Sequence, residues 1–225
     1  MSKAASFRNP RPSVEAPAFD AAFREKLGDL LSWRRDVRRF RPEPLPDGLL
    51  ERLLDSASLA PSVGLSQPWR FVIVTSGERR ARIRENFARC NAEALAAEPS
   101  ERAGRYAHLK LAGLDEAPCH VAVFADRSTG KGHGLGRRTM PEMIEYSAVM
   151  AIYTLWLVAR AEGVGLGWVS ILEPKDVVSA LDVPRTWTFI GYLCLGYPAA
   201  EDSVPALERA GWETRAPAAT FRMER

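Results

Sequence analysis

One stretch of this sequence, residues 140–162, limits the possible folds more than any other. Its pattern predicts the longest helix of the chain, and between Val149 and Val158 this helix is apolar on nearly every side. Such a helix must be buried from several directions or lie in a subunit interface. The longest apolar run, residues 148–159, is shorter than the ~20 residues that span a bilayer. We therefore expect no membrane-spanning helix.

Composition fits one folded domain. The chain has 225 residues, of which 46% are hydrophobic and 26% charged, so it can bury a full core. A net charge of +3 suits a small anionic ligand as well as a nucleic acid and decides between neither. We expect residues 1–17, rich in proline, serine and alanine, to form an irregular arm, and residues 18–225 to form a single domain.

The cysteines and histidines indicate no metal site and no disulfide framework. The three cysteines form no CxxC pair, and the three histidines have no metal-ligand spacing. Free thiols are typical of a reducing compartment. The N-terminus has no apolar core of a signal peptide, so we expect a cytoplasmic protein.

Four short apolar segments are predicted strands, at residues 71–74, 120–125, 166–171 and 189–195. Helical patterns occur near residues 23–31, after Pro46, over residues 78–97 and from Pro99 towards Gly113. The segment from 78 to 113 has only a weak apolar stripe and could be a mobile cover, but the sequence does not decide whether it forms a closed lid. Because no regular βαβ repeat is present, the pattern favours an α+β fold.

An arginine cluster follows the first helix. Arg34 and Arg38 are four residues apart, which would place both on one side of a helix end, with Arg35 adjacent. Guanidinium groups bind phosphate through paired hydrogen bonds. The alternatives are a solvated basic face and a nucleic-acid patch, but no aromatic residues are interleaved with the arginines, which disfavours nucleic acid.

Asp36 lies in the middle of this cluster and has two interpretations. It is either an ion-pair partner of Arg35 or Arg39, or a carboxylate kept ionised by its neighbours and able to accept a proton. The sequence does not separate them.

Two further stretches have the composition of ligand-binding loops. Residues 60–69 are rich in small and turn-forming residues, and there Ser62 and Gln67 could contact the polar edge of a planar ring. Residues 163–170 join the long helix to a strand through three glycines and end at Ser170. No GxSxG motif is present, so Ser170 is not a hydrolase nucleophile. Each stretch could also be an ordinary turn or strand.

A third loop, residues 130–134, has the sequence Gly-Lys-Gly-His-Gly but does not match the phosphate-binding GxxxxGK[ST] motif. We interpret it as a flexible loop.

In this order, the stretches resemble the nitroreductase-like flavoprotein superfamily, from about Leu27 to Trp212. Asp36 replaces a serine that is frequent there, and Val63-Gly64-Leu65-Ser66 replaces a Ser-Ser-Gly-Asn loop. Both make the chain most similar to the branch of aerobic 5,6-dimethylbenzimidazole synthases. The motifs that carry the resemblance are Arg34-Arg35-Asp36-Val37-Arg38, Ala60-Pro61-Ser62-Val63-Gly64, Gln67-Pro68-Trp69 and Trp168-Val169-Ser170-Ile171.

The resemblance implies a homodimer with a mostly antiparallel sheet of four to five strands and FMN at the subunit interface. In it, Gly64 and its loop would flank the flavin ring, and Leu111 would belong to a lid. Asp36 and Ser170 would be the polar groups nearest the reacting part of the flavin, Asp36 as base or proton shuttle. The FMN phosphate and ribityl chain would be held by the first motif, through Arg34, Arg35 and Arg38 beside Val37.

The branch further implies that reduced FMN is a cosubstrate. It reacts with O2 and is fragmented to dimethylbenzimidazole, for the lower ligand of cobalamin, and erythrose 4-phosphate. A separate NAD(P)H-dependent flavin reductase would supply the reduced FMN. One alternative is an FMN-dependent NAD(P)H nitro- or quinone reductase. Another is a flavin-sequestering protein without chemistry.

Overall fold

The computed structural model describes residues 16–225. This part of the chain contains seven α-helices, four strands and two short 3-10 turns, at Val63–Leu65 and Ala218–Phe221. The helices are α1 (Ala21–Trp33), α2 (Leu49–Ala57), α3 (Gly77–Ala97), α4 (Ser100–Ala107), α5 (Met143–Ala161), α6 (Pro174–Leu181) and α7 (Ala206–Arg209). The strands are β1 (Trp69–Ile73), β2 (Cys119–Asp126), β3 (Gly165–Val169) and β4 (Trp187–Gly196).

The strands form one sheet in the order β1-β2-β4-β3, and every neighbouring pair is antiparallel. In the central pair, Val121 lies opposite Leu193 and Cys119 opposite Leu195. Strand β2 is buried along nearly its whole length, which explains why its sequence is apolar without alternation. The predicted α+β fold with an antiparallel sheet is confirmed.

Helices cover both faces of this sheet. On the closed face, α3 and α6 pack together over a core that contains Ile83 and Tyr192. On the open face, α2 and α5 pack over Leu193, with Leu53 and Ile152 fully buried between helix and strand. Successive strand residues point to opposite faces, so β2 and β4 contribute to both cores.

The open face takes its name from an apolar surface that residues 16–225 leave uncovered. Helix α5 exposes Tyr146, Val149, Met150 and Tyr153, spaced i, i+3, i+4 and i+7 along one side, which we call the α5 stripe. Helix α1 packs beside α5, and none of its residues is buried. Its apolar residues, Phe23, Leu27 and Leu31, are also exposed.

Residues 35–41, which follow α1 and which we call the edge segment, extend the sheet edge at β3. Asp36 forms a parallel bridge with Leu166 of β3, and the Val37 N–H donates to the Leu166 carbonyl at 3.0 Å. Gly167 permits this approach because a Cβ there would overlap the carbonyl oxygen of Val37. Arg41 N–H continues the contact by donating to the Tyr197 carbonyl at 2.9 Å.

Two local predictions were wrong. Residues 34–38 are extended rather than a helix end, because α1 stops at Trp33 and the chain turns to meet β3. Strand β3 ends at Val169, so Ser170 lies outside it and is exposed. In helix α3, which belongs to the segment that could form a cover, Ile83 and Asn86 are buried against the closed face.

Two other points concern the chain ends and the membrane. The predicted irregular arm, residues 1–17, lies outside the described residues except for residues 16 and 17, which are exposed coil. None of the helices in residues 16–225 combines the length and apolarity needed to cross a membrane.

Candidate active site

A cavity of about 460 Å³ lies at the sheet edge where residues 35–39 meet the start of β3. Its other walls are residues 108–110, after α4, and residues 198–210, which lead into α7. This volume falls within the range of small-molecule sites. We call it the arginine cavity because its lining includes Arg35, Arg38, Arg39, Arg160 and Arg209.

Arg35 and Arg38 are held at the cavity by different contacts. Arg35 donates to the carbonyls of Ser32 at 2.6 Å, of Arg34 at 2.7 Å and of Ser203. Its Nε is buried and has no hydrogen-bond partner among residues 16–225. Arg38 Nη1 donates to the Lys110 carbonyl at 3.1 Å, which ties the edge segment to the chain after α4.

The cations around Arg35 are crowded. Burial lowers the pKa of the Arg35 guanidinium, and the nearby charges of Arg215, Arg34 and Arg160 lower it further. An anion bound beside Arg35 would relieve this repulsion. The arginine cavity is therefore built for a negatively charged group.

Asp36 is bonded through both carboxylate oxygens. Oδ2 accepts from Arg38 Nε at 2.7 Å, and Oδ1 accepts from the Trp168 N–H at 2.9 Å. The prediction of an ion pair was right in kind but wrong in partner, because in an extended segment residues 36 and 38 lie on the same side. Its side chain is 29% exposed and lines the cavity, so it can still meet a ligand.

The sequence did not predict three cations of the arginine cavity, Arg160, Arg209 and Lys110. Arg160 pairs with Glu201 at 2.8 Å, and Glu201 also accepts from Trp33 Nε1 at 3.3 Å. Lys110 lines the cavity and pairs with Glu116 at 2.9 Å. A signal for Arg160 was present in the sequence, since it is the first charged residue after the long apolar run of α5.

Arg34 is the member of the motif that does not line the cavity. Its guanidinium lies over the Trp156 ring, 4.7 Å from the ring centre, where a cation–π contact holds it. Val37 lines the cavity and packs against the core of the closed face. Leu111 is half-buried and follows Lys110, one residue beyond the wall.

The loop of residues 62–67 lies elsewhere in the protomer. The Val63 N–H donates to Ser147 Oγ at 3.0 Å, whereas the Arg35 carbonyl accepts from Trp156 Nε1 at 3.0 Å. These two contacts are about 14 Å apart along α5, at 1.5 Å per residue. Ser62, Gly64 and Gln67, like Ser170, are thus absent from the lining of the arginine cavity.

The 62–67 loop is held by its own contacts. Ser62 Oγ accepts from the Gln67 N–H at 3.0 Å, and the side chain of Gln67 accepts from Lys131. Gly64 has φ +56°, and a Cβ there would press on the carbonyls of Gly132 and Leu135. The predicted site residues therefore fall into two groups within one chain.

Comparison with known proteins identifies the fold of this site. The model of the nitroreductase family matches residues 31–197. The chain belongs to the nitroreductase family. The match contains the edge segment, the 62–67 loop, all four strands and α5. The predicted family membership is thereby confirmed.

Curated relatives and solved structures agree with this assignment. A 5,6-dimethylbenzimidazole synthase of Rhodospirillum rubrum is 57% identical over 89% of this chain and 95% of its own. A protein of the same name from Rhodobacter capsulatus is 47% identical over 88% and 96%. The crystal structure of oxidized iodotyrosine deiodinase bound to FMN and 3-iodo-L-tyrosine superposes with a TM-score of 0.65 at 25% identity, covering 78% of this chain and 91% of that one.

Proposed function

We propose that this protein is a 5,6-dimethylbenzimidazole synthase, which fragments reduced FMN with O2 into dimethylbenzimidazole, erythrose 4-phosphate and a fragment that contains the pyrimidine part of the flavin ring. The observation that carries the proposal is the 57% identity, over nearly the full length of both chains, to a relative of that name. The aspartate at position 36 supports it, because the side chain lines a cation-rich cavity of suitable size.

The residues of the arginine cavity fit FMN. A phosphate group requires hydrogen-bond donors and positive charge, which Arg35, Arg38 and Arg160 supply together. Apolar groups on the same walls, including Leu166 and Trp156, can cover the ribityl chain and ring.

Bound reduced FMN supplies the electrons that reduce O2 and the carbon skeleton that is cleaved. The protein's part is to hold the ligand, exclude water and move protons. Residues 198–210 and 108–110 form the cover that excludes water. The contact between α4 and the C-terminal segment, where the Tyr106 and Trp212 rings lie 6.0 Å apart, fastens these two walls together.

Asp36 is the proposed proton acceptor. Each carboxylate oxygen can accept two hydrogen bonds, and the contacts with Arg38 and Trp168 occupy one on each. A free position therefore remains on both oxygens for a substrate C–H or O–H group. The two fixed bonds hold the carboxylate rigidly, as a general base requires. Ser170 would orient the reacting edge of the flavin.

A second subunit would complete the site. Within one chain, the 62–67 loop lies about 14 Å along α5 from the arginine contacts. The exposed α5 stripe lies on the helix that carries both contacts, so a partner packed there could bring its own loop to the arginine cavity. We therefore propose a homodimer in which Ser62, Gly64 and Gln67 of one subunit meet FMN held by the other.

The decisive experiment is product analysis. The protein is mixed anaerobically with chemically reduced FMN, air is admitted, and the products are separated by chromatography. We expect irreversible loss of flavin absorbance and at most one dimethylbenzimidazole per FMN consumed. A separate flavin reductase with NAD(P)H should sustain the reaction.

Two other outcomes would reject the proposal. Rapid NAD(P)H-dependent reduction of a nitroaromatic compound, with the flavin fully recovered, would establish an ordinary reductase. Binding of FMN with neither reaction would leave a flavin-sequestering protein.

A further inference from the structure

A second cavity, of about 470 Å³, lies beside the N-terminal end of α5. It is formed where β2 ends, where the loop of residues 128–142 turns and where α5 begins. None of its lining residues also lines the arginine cavity. The lining is Arg127, His133, Gly134, Arg137, Arg138, Pro141 and Ile144.

This second cavity contains more positive than negative charge. Glu145 Oε1 accepts from Arg127 Nε at 2.5 Å, which pairs one of the three arginines. Arg137 donates only to a neutral acceptor, the Thr129 carbonyl, at 2.8 Å. Within residues 16–225 neither Arg137 nor Arg138 has an ion-pair partner.

Asp126 does not offset this imbalance, and Glu142, next to the lining residue Pro141, offsets it only in part because it is a single carboxylate. Asp126, at the end of β2, is bonded to Arg70 at 2.6 Å and to Ser128 Oγ at 2.6 Å. The first turn of α5 adds a partial positive charge on the same side of the cavity. Two arginines of the cavity, Arg137 and Arg138, thus have no ion-pair partner among the described residues, and their guanidinium groups can bind an anion.

We propose that this cavity binds the phosphate group of a small phosphate-bearing ligand. Planar guanidinium groups form paired hydrogen bonds with phosphate oxygens, and two of them side by side neutralise a phosphate monoester dianion. The adjoining Gly-Lys-Gly-His-Gly sequence, residues 130–134, does not act as a phosphate-binding P-loop in this proposal. Its glycines serve the turn, with φ +79° at Gly132 and +77° at Gly134.

Ligand binding at this cavity would reach the 62–67 loop. A Cβ at Gly132 would overlap the carbonyl oxygen of Gly64, and one at Gly136 would contact Val63 closely. Lys131 donates to the Gln67 side chain. An anion that fixes Arg137 and Arg138 therefore fixes the loop against which residues 62–67 pack.

The test is a titration of the full-length protein with inorganic phosphate, at constant ionic strength, followed by residue-resolved amide NMR. We expect saturable shifts at the amides of residues 133–138 in the millimolar range. Shifts at residues 35–39 report the arginine cavity separately, so that binding there cannot be mistaken for binding here. Chloride at equal ionic strength should produce no saturable shift.

Two variants locate the binding groups. Arg138→Gln should weaken phosphate binding at residues 133–138 by about tenfold or more, while Arg82→Gln, which removes an exposed arginine of α3, should leave it unchanged. Arg138→Lys keeps the charge, loses the fork and should bind with intermediate affinity. The proposal is overturned if these amides do not shift, if chloride shifts them equally, or if Arg138→Gln and Arg138→Lys both bind like the parent.

Discussion

Residues 16–225 cover the two faces of the sheet to different extents. On the closed face, α3 and α6 bury a continuous core around Tyr192 and Ile83, and the chain itself covers it. On the open face, α5 is fully buried at Ile152 and Leu155 yet exposes the α5 stripe along its other side. The same helix is therefore core on one side and uncovered apolar surface on the other.

The difference separates folding from function. The closed face needs nothing beyond the chain, so changes there should alter stability. The open face carries both groups of candidate site residues, since α5 contacts Arg35 near its end and Val63 near its start. Changes there should alter assembly, ligand binding or chemistry. Each of the following experiments tests whether the closed face determines stability and the open face determines function.

The largest effect is expected at Asp36. Asp36→Asn can still accept from the Trp168 N–H but loses the charge paired with Arg38 and the ability to take up a proton. We expect dimethylbenzimidazole formation to fall by roughly 100- to 10,000-fold, the usual contribution of a general base, while FMN still binds. Asp202→Asn removes another cavity carboxylate, paired with Arg209, and is the control. Equal rates for Asp36→Asn and the parent would reduce Asp36 to an ion-pair residue.

The α5 stripe should be the next most sensitive feature. Met150→Lys would bury an unpaired charge in the proposed interface, at a cost of roughly 3–5 kcal/mol, so the dimer dissociation constant should rise at least about 100-fold. Sedimentation equilibrium measures it. Ile73→Lys, at a site of matching exposure (41% against 43%), should leave assembly unchanged. An unaltered dimer in Met150→Lys would place the interface elsewhere.

The closed face should respond to pH through His120. Its Nε2 lies 3.1 Å from the Ala117 carbonyl and so donates, which leaves Nδ1 to accept from the Tyr192 hydroxyl at 3.0 Å. Burial, with the charge of Arg80, lowers the pKa of His120 from 6.5 to about 4. Between pH 6.5 and 4, the imidazole of His120 is therefore protonated in the unfolded chain but neutral in the native state.

Stability should consequently fall as the pH drops through this window, by on the order of 3 kcal/mol. Denaturant unfolding at a series of pH values measures the slope. His120→Gln should remove that contribution, whereas Tyr192→Phe, which keeps the imidazole, should retain it. A parental slope in His120→Gln would show that other groups cause the acid sensitivity.

Local sequence patterns predicted the strands because a strand that is buried on both faces has a continuous apolar sequence, as β2 does. They also predicted a cation-rich site, since the arginines are adjacent in sequence. They could not predict that Asp36 meets Trp168, because this contact depends on how the edge segment registers with β3. Nor could they separate the 62–67 loop from the arginine cavity, which is a consequence of the length of α5.

Arg38 tests whether the arginine cavity binds FMN. Arg38→Ala removes a charged donor and should weaken FMN binding by roughly 1.5–3 kcal/mol, about 10- to 150-fold. Anaerobic titration with reduced FMN measures the affinity without turnover. Arg41→Ala is the matched control, because Arg41 pairs with Glu43 at 3.4 Å outside the cavity. Equal FMN affinities for Arg38→Ala and Arg41→Ala would show that the FMN phosphate does not bind at the edge segment.

Ser170 should show the smallest effect. It follows β3 directly, is exposed in one chain and has no core to support, so a structural role predicts no loss in Ser170→Ala. If its hydroxyl meets the flavin in the dimer, one neutral hydrogen bond is lost, on the order of 1 kcal/mol, and the product rate should fall about fivefold. Ser179→Ala, an exposed serine of α6 on the closed face, should keep the parental rate. Parental rates in both variants would remove Ser170 from the site and leave Asp36 as the proposed proton acceptor, whereas a loss confined to Ser170→Ala would extend the functional surface of the open face beyond the end of β3.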